Sequence, residues 1–283
     1  MSDEKKYTTP KDSHYARLRR AHRDNQSKGE PRRRNRPALP GTAAPEGLVR
    51  LYGLHTVRAA MDNPKRKIRS MFITRNAAQR MELDDPASLP FPVEMVEPKA
   101  IDLLTGTDAV HQGVLIEAEP LRPKSLAALG DTPLVLVLDQ VTDPHNVGAI
   151  MRSAVAFGAG ALITTARHSP EESGVLAKAA SGALEHIDHI EVRNLAAAIE
   201  ELHALGFFTA GLDSEGPAIL EETLQGERIA LVLGSEGKGL RQKTRETVKA
   251  LARLDMPGAI RSLNVSNATA VALYVARRAL SGA

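Results

Sequence analysis

Leu134-Val135-Leu136-Val137-Leu138-Asp139-Gln140-Val141-Thr142-Asp143-Pro144-His145-Asn146-Val147-Gly148-Ala149-Ile150-Met151-Arg152 is the stretch on which the fold turns. Its first five residues are apolar without interruption, the pattern of a strand covered on both faces rather than one that alternates between core and water. Asp143-Pro144 then breaks the chain in the manner of a helix start. Val147, Ile150, Met151, Ala154 and Val155 form one apolar stripe at helical spacing, which leaves Arg152 on the opposite face. A buried strand feeding directly into an amphipathic helix is the opening half of a strand-helix-strand unit.

Downstream the alternation continues to the end of the chain. Strands are expected near 134–141, 161–165, 187–191, 207–211 and 229–233, and helices near 146–157, 173–180, 194–205, 241–250 and 265–280. This predicts an α/β fold with a parallel sheet covered on both faces, right-handed crossovers, and ligands at the carboxyl ends of the strands. Upstream, Pro120, Pro123 and Pro133 mark a linker over 121–133. Before it, a smaller α/β domain spans 47–120, with a helical stretch from Thr56 to Met61, strands at Ile68–Thr74, Val93–Val96 and Val114–Ala118, and a helix at Lys99–Leu104. The larger domain covers 134–283.

The first 46 residues differ in kind. Residues 1–40 hold twelve Lys or Arg against five Asp or Glu, a local balance of +7 within a total of +3, so the remainder carries −4. Arg32, Arg33, Arg34 and Arg36 lie among Pro, Asn and Gly with almost no apolar residues, so segment 1–46 is expected to be a disordered basic arm. Such an arm serves as a solubility tail or attracts a phosphate backbone, and clustered arginines favour the second. No run approaches the length of a membrane helix and Met1 to Arg20 has no apolar centre, so neither a membrane span nor a secretory signal is expected, and a cytoplasmic location follows. With no cysteine, disulfides and thiolate chemistry are excluded. The nine histidines show no metal-ligand spacing; His186 and His189 come nearest and read as strand-edge or surface residues, and no metal is assigned.

Two further motifs stand at strand-helix junctions. Leu231-Val232-Leu233-Gly234-Ser235-Glu236-Gly237-Lys238-Gly239-Leu240 runs from a buried strand into glycines that let backbone approach a ligand, although a tight structural turn is the commoner use. It matches neither the P-loop nor the dinucleotide fingerprint. Asp255-Met256-Pro257 followed by Ser262-Leu263-Asn264-Val265-Ser266-Asn267-Ala268 leads into a helix with apolar residues round most of its circumference, among them Val271, Leu273 and Val275. Burial of that helix between two subunits is expected, and Leu273→Glu is the substitution expected to break the dimer. Ser262, Asn264 and Ser266 also suit plain caps and turns.

In this order the three motifs resemble the SpoU or TrmH branch of the SPOUT RNA methyltransferases, whose hallmarks are NxGxxxR, a glycine turn containing GxE, and SLNVS. The resemblance runs continuously over 134–280. It extends upstream through Tyr52-Gly53-Leu54-His55 and Ala109-Val110-His111-Gln112-Gly113-Val114 to the family's substrate-binding domain. The two-domain layout is closest to the RlmB-like branch, which methylates a guanosine ribose in 23S ribosomal RNA. The resemblance implies a carboxyl-terminal α/β knot, a deep trefoil, with a small L30e-like α/β domain before it, and a homodimer through the carboxyl-terminal domain. It implies S-adenosyl-L-methionine (AdoMet) as cofactor, with Gly234, Met256 and Leu263 at its site, and RNA as partner. Asn146, Arg152, Glu236, Ser262 and Asn264 match the family's active-site positions. A guanidinium in a protein keeps its proton. Arg152 is therefore assigned to orient an RNA phosphate and stabilise the emerging alkoxide, while phosphate or water accepts the proton. Glu236 either holds the glycine turn or touches substrate. Two features depart from the family pattern: Asn267 stands where relatives commonly have valine, and the loop between Met256-Pro257 and Ser262 is short.

Two other functions compete. A transfer RNA ribose methyltransferase would share the chemistry, and a catalytically silent RNA-binding assembly factor would share only the fold. Retention of Asn146, Arg152, Glu236 and Asn264 weighs against silence, and the separate 47–120 domain favours a ribosomal target. A nucleotide-binding oxidoreductase is a distant third, because both phosphate fingerprints are missing.

Overall fold

The computed structural model describes residues 43–259 and 262–282. All but the last four residues of the basic arm expected over 1–46 lie outside them.

In chain order the elements are β1 (Val49–Tyr52), α1 (Leu54–Asp62), β2 (Ile68–Ile73), α2 (Arg75–Arg80), β3 (Val93–Met95), α3 (Pro98–Thr105) and β4 (Val114–Ala118), followed by β5 (Leu134–Asp139), α4 (Pro144–Ala156), β6 (Ala161–Thr165), α5 (Gly174–Ala180), β7 (Asp188–Val192), α6 (Leu195–Ala204), β8 (Phe208–Leu212), β9 (Ala218–Ile219), α7 (Leu220–Thr223), β10 (Ile229–Gly234), α8 (Gln242–Thr247), β11 (Ala250–Arg253) and α9 (Val265–Ser281). β1 to β4 form a mixed sheet in the order β1-β4-β2-β3, and the other seven strands form a sheet in the order β7-β6-β5-β10-β8-β11-β9. Each pairing in the larger sheet is parallel.

The uninterrupted apolar run of β5 has its reason in this arrangement. Leu134, Leu136 and Leu138 enter one core with Val147, Ile150 and Met151 of α4, while Val135 and Val137 enter a second with Leu195, Ile199 and Leu202 of α6. Its neighbour β10 divides the same way, Ile229, Leu231 and Leu233 on the first side and Ala230 and Val232 on the second. Full burial of each such side chain contributes about 1.5–3 kcal/mol, so between Leu134 and Leu138 neither face has room for an unpaired polar group.

The structure departs from the sequence reading in four places. The helix expected over 241–250 stops at Thr247, and Ala250–Arg253 is a strand. Ala-Leu-Ala-Arg favours helix locally, but parallel pairing with β8 and β9 supplies partners that a longer helix would forfeit. Neither β1 nor β9 was legible, each being too short to show a period. The linker is not free chain: Lys124 N donates to His189 O at 2.8 Å and Glu191 N to Lys124 O at 3.0 Å, so it covers the edge of β7. Finally, α9 is largely buried within its own chain. Val265, Ala272, Leu273, Val275 and Ala276 pack in the core against α4 and β10, while Val271 and Tyr274 remain 44% and 52% exposed. Leu273→Glu is therefore a folding defect and not a probe of assembly. Among the described residues no helix is long and apolar enough to cross a membrane.

Candidate active site

The site forms where β5 and β10 end side by side, Gly234 in register with Asp139. Asp139 is buried completely at the tip of an otherwise apolar strand, which a carboxylate tolerates only when its oxygens are satisfied. Arg241 does so, donating from Nε to Oδ1 at 2.6 Å and from its backbone N to Oδ2 at 2.9 Å. This pair pins the far end of the glycine turn to β5. Gly239 N donates to Ser235 O at 2.9 Å, closing the turn, and a Cβ on Gly234 would collide with the Gly239 backbone. The missing side chain at Gly234 is thus required by the turn itself.

Two helices begin at this edge. Asp143 caps α4 by accepting from His145 N and Asn146 N at 3.3 and 3.4 Å. Asn264 caps α9, its Oδ1 accepting from Ser266 N at 2.9 Å. Its Nδ2 donates to Glu236 Oε1 at 2.6 Å and to Asn146 Oδ1 at 3.0 Å. Glu236 Oε1 also accepts from Asn146 Nδ2 at 3.3 Å and from Val265 N, in the first turn of α9, at 3.2 Å. One carboxylate oxygen therefore ties together all three motifs, and it does so at the positive ends of two helix dipoles, where a negative charge is favoured.

Of the sequence-predicted residues, Asn146, Glu236 and Asn264 come together in this cluster. Ser262 and Leu263 lead into it and are exposed, Leu263 to 45% despite being apolar, and Met256 is half-buried in the segment before them. Arg152 stands apart. Six residues beyond Asn146 on α4, it lies about 9 Å further along the axis and roughly 240° round it. It is exposed and lines a different cleft, with His55, Arg58 and His186. Asp139 and Arg241 are the residues that sequence reasoning missed; the available signal was a lone carboxylate closing an all-apolar strand.

As a donor set the edge suits a neutral heterocycle and a hydroxyl better than a phosphate: amide groups, a hydroxyl and apolar surface dominate, and the one charge in the cluster is negative. Among the described residues no group of three His, Asp or Glu is placed to hold a metal ion.

Comparisons with known proteins show which family the chain resembles. Residues 133–274 match the model of the SpoU rRNA Methylase family, and residues 50–124 match that of RNA 2'-O ribose methyltransferase substrate binding. The chain is 37% identical over 242 residues to the 23S rRNA (guanosine-2'-O-)-methyltransferase RlmB of Pseudomonas putida, covering 82% of this chain and 96% of that protein. Among solved structures, an AdoMet-bound rRNA methyltransferase from Sinorhizobium meliloti superposes with a TM-score of 0.68 at 25% identity, over 83% of this chain and 88% of that one. The SpoU methyltransferase AviRb from Streptomyces viridochromogenes in complex with AdoMet shares the fold, with a TM-score of 0.69 at 20% identity over 82% of this chain and 90% of that one. With half of its length matched by the family model and nearly the whole of a relative spanned at more than a third identity, the chain belongs to the SpoU rRNA methylase family.

Proposed function

We propose that this protein is a cytoplasmic RNA methyltransferase that places a methyl group from AdoMet on the ribose 2'-hydroxyl of a guanosine in 23S rRNA. The observation that carries this reading is the Asn146–Glu236–Asn264 cluster, built from all three motifs at the edge where β5 and β10 end. Exposed Leu263 and half-buried Met256 offer apolar surface that fits an adenine, and the backbone of the turn at Gly234 offers amide groups. AdoMet bound there supplies an electrophilic methyl on its sulfonium. The chain's own residues then have to align the ribose oxygen and help it lose its proton. Asn146 and Asn264, fixed through Glu236, position the ribose edge, and Ser262 lies close enough in sequence to add a hydroxyl contact. Arg152, which stands apart from that cluster, orients an RNA phosphate, with phosphate or water taking the proton.

The segment 47–120 acts as the RNA-binding domain, an L30e-like unit joined through the 121–133 linker to the methyltransferase domain 134–283. Its four-stranded mixed sheet supports that division. Membership of the family carries with it a carboxyl-terminal trefoil knot, in a domain where α9 packs on α4 and β10. The basic arm 1–46 adds sequence-independent attraction to the phosphate backbone. A homodimer forms through the exposed remainder of α9, where Tyr274 packs edge-on to Phe157 with centroids 6.2 Å apart beside exposed Val271.

Transfer of labelled methyl from AdoMet to unmodified 23S rRNA and to unmodified transfer RNA tests the reading. Label in the large-subunit RNA is expected. Label confined to transfer RNA would replace the substrate, and no label on either RNA would leave a silent RNA-binding role.

A further inference from the structure

A cleft of about 360 Å³ opens between α1 of the smaller sheet's unit and α4 of the larger, lined by His55, Arg58, Ala59, Asp62, Arg152 and His186 among others. His55, Arg58, Ala59 and Asp62 are spaced i, i+3, i+4 and i+7, so one face of α1 looks into it. The buried part of the lining, its floor, is made of small residues: Ala59, Ala180, Gly182 and Ala183. Gly182 has φ +97°, and a Cβ there would lie 3.0 Å from Ala59 Cβ and 3.4 Å from His55 O, so its bare backbone is what lets α1 come this close. Nitrogen-bearing side chains stand round the rim: His55, Arg58, Arg152 and His186. Asp62 is the one carboxylate among the lining residues.

Both ends of α1 are fastened across the seam. At its start, Thr56 Oγ1 donates to Ala177 O at 3.2 Å, and Lys178 Nζ donates at 2.6 Å to Gln112 Oε1, which also accepts from Leu54 N. At its end, Asn63 Nδ2 donates to Glu185 Oε2 at 2.6 Å, and fully buried Arg66 bonds Glu185 and Glu172, each at 2.6 Å. The cleft's walls are therefore held at a fixed separation, and Arg58 is itself anchored by donation to Met81 O.

We infer that this cleft binds a phosphodiester of the substrate RNA strand, with Arg58, His55 and His186 acting beside Arg152 as positioning residues that carry the strand from the substrate-binding unit toward the methylation site. The inference rests on the RNA methylation reading and adds a defined path to it. Small floor residues let a sugar-phosphate backbone approach, and a rim of N–H donors with a guanidinium on each wall matches its anionic oxygens. A rigid cleft avoids the ordering cost that flexible surface lysines would incur.

The test measures binding and methylation of unmodified 23S rRNA transcript by the full chain and three variants. Arg58→Gln and the double variant His55→Ala/His186→Ala should each weaken RNA binding, Arg58→Gln by roughly tenfold with a salt slope lower by about one phosphate contact. KM for RNA should rise by a larger factor than kcat falls, and AdoMet affinity should hold. Asp62→Asn should tighten RNA binding, an effect of opposite sign that loss of folded protein cannot produce. A wild type that methylates the transcript while all three variants keep its affinity and salt slope would overturn this inference alone. Weakening that tracks only a fall in Tm, with no gain from Asp62→Asn, would do the same. A wild type that neither binds nor methylates RNA would overturn the functional reading and this inference with it.

Discussion

Glu236 shows how a residue can be named from sequence while its work stays hidden. Its place in a glycine turn at a strand end was legible, but its partners lie 90 residues away at Asn146 and 28 away at Asn264, and no local pattern reports that distance. The structure also moves it off its own turn, which is held from beneath by Asp139 and Arg241, and gives it to the start of α9. Because Glu236 is exposed, Glu236→Ala should cost only about 1 kcal/mol of stability. Its three contacts position the site, so kcat/KM should fall on the order of 100-fold. Denaturant unfolding measured beside methyl-transfer kinetics checks the contrast, and equal losses in both would refute it. A second residue carries a pH effect. Burial holds the His189 imidazole below its ordinary value of 6.5, where it bonds Thr164 Oγ1 at 2.8 Å. The unfolded chain then binds the proton first, so this stabilisation is complete above 6.5 and is lost as pH falls from there toward the folded-state value. Glu172 acts in the opposite sense, its carboxyl raised by burial against the opposing pull of Arg66. The difference between wild type and His189→Gln isolates the first effect. Stability measured at pH 7.5 and pH 5.5, on the order of one unit to either side of 6.5, should fall more in the wild type; parallel curves would show that His189 is not responsible.

At the scale of elements, β5 and α4 were readable because each announces itself twice: by its apolar pattern, and by the Asp143-Pro144 start that the structure turns into a side-chain cap. β11 was not, since Ala250 to Arg253 is strand only by virtue of β8 and β9 beside it. α9 was read correctly in extent and incompletely in burial. A helix that is apolar on most sides needs cover, but one chain supplies nearly all of it here, leaving Val271 and Tyr274 as the uncovered remainder. The two neighbouring substitutions therefore separate. Leu273→Glu removes a fully buried side chain and should destabilise the fold by about 2–5 kcal/mol before the cost of the buried charge is added. Tyr274→Glu should leave the fold intact and, through the proposed α9 interface, shift sedimentation from dimer to monomer. A folded Tyr274→Glu protein that still sediments as a dimer would move the interface elsewhere.

Across the described residues, the smaller sheet and the larger one meet through a shared apolar core and buried polar contacts rather than a loose tether. Among the polar ones, Arg66 bonds Glu172 and Glu185 at 2.6 Å each, and the linker itself lies along β7. None of this was visible in the sequence, because Arg66 and Glu185 are 119 residues apart and neither sits in a motif. The parallel sheet and the three-motif edge were visible, because alternating strands and helices and the glycine and asparagine junctions are local. On the proposed chemistry the methyl goes to a ribose oxygen of guanosine and not to a base. The most direct measurement is mass analysis of nucleosides from 23S rRNA treated with the protein and AdoMet, paired with mapping of positions that resist alkaline cleavage. 2'-O-methylguanosine at one resistant position is the expected result. A methyl carried on a guanine base, with every phosphodiester still cleaved by alkali, would contradict it.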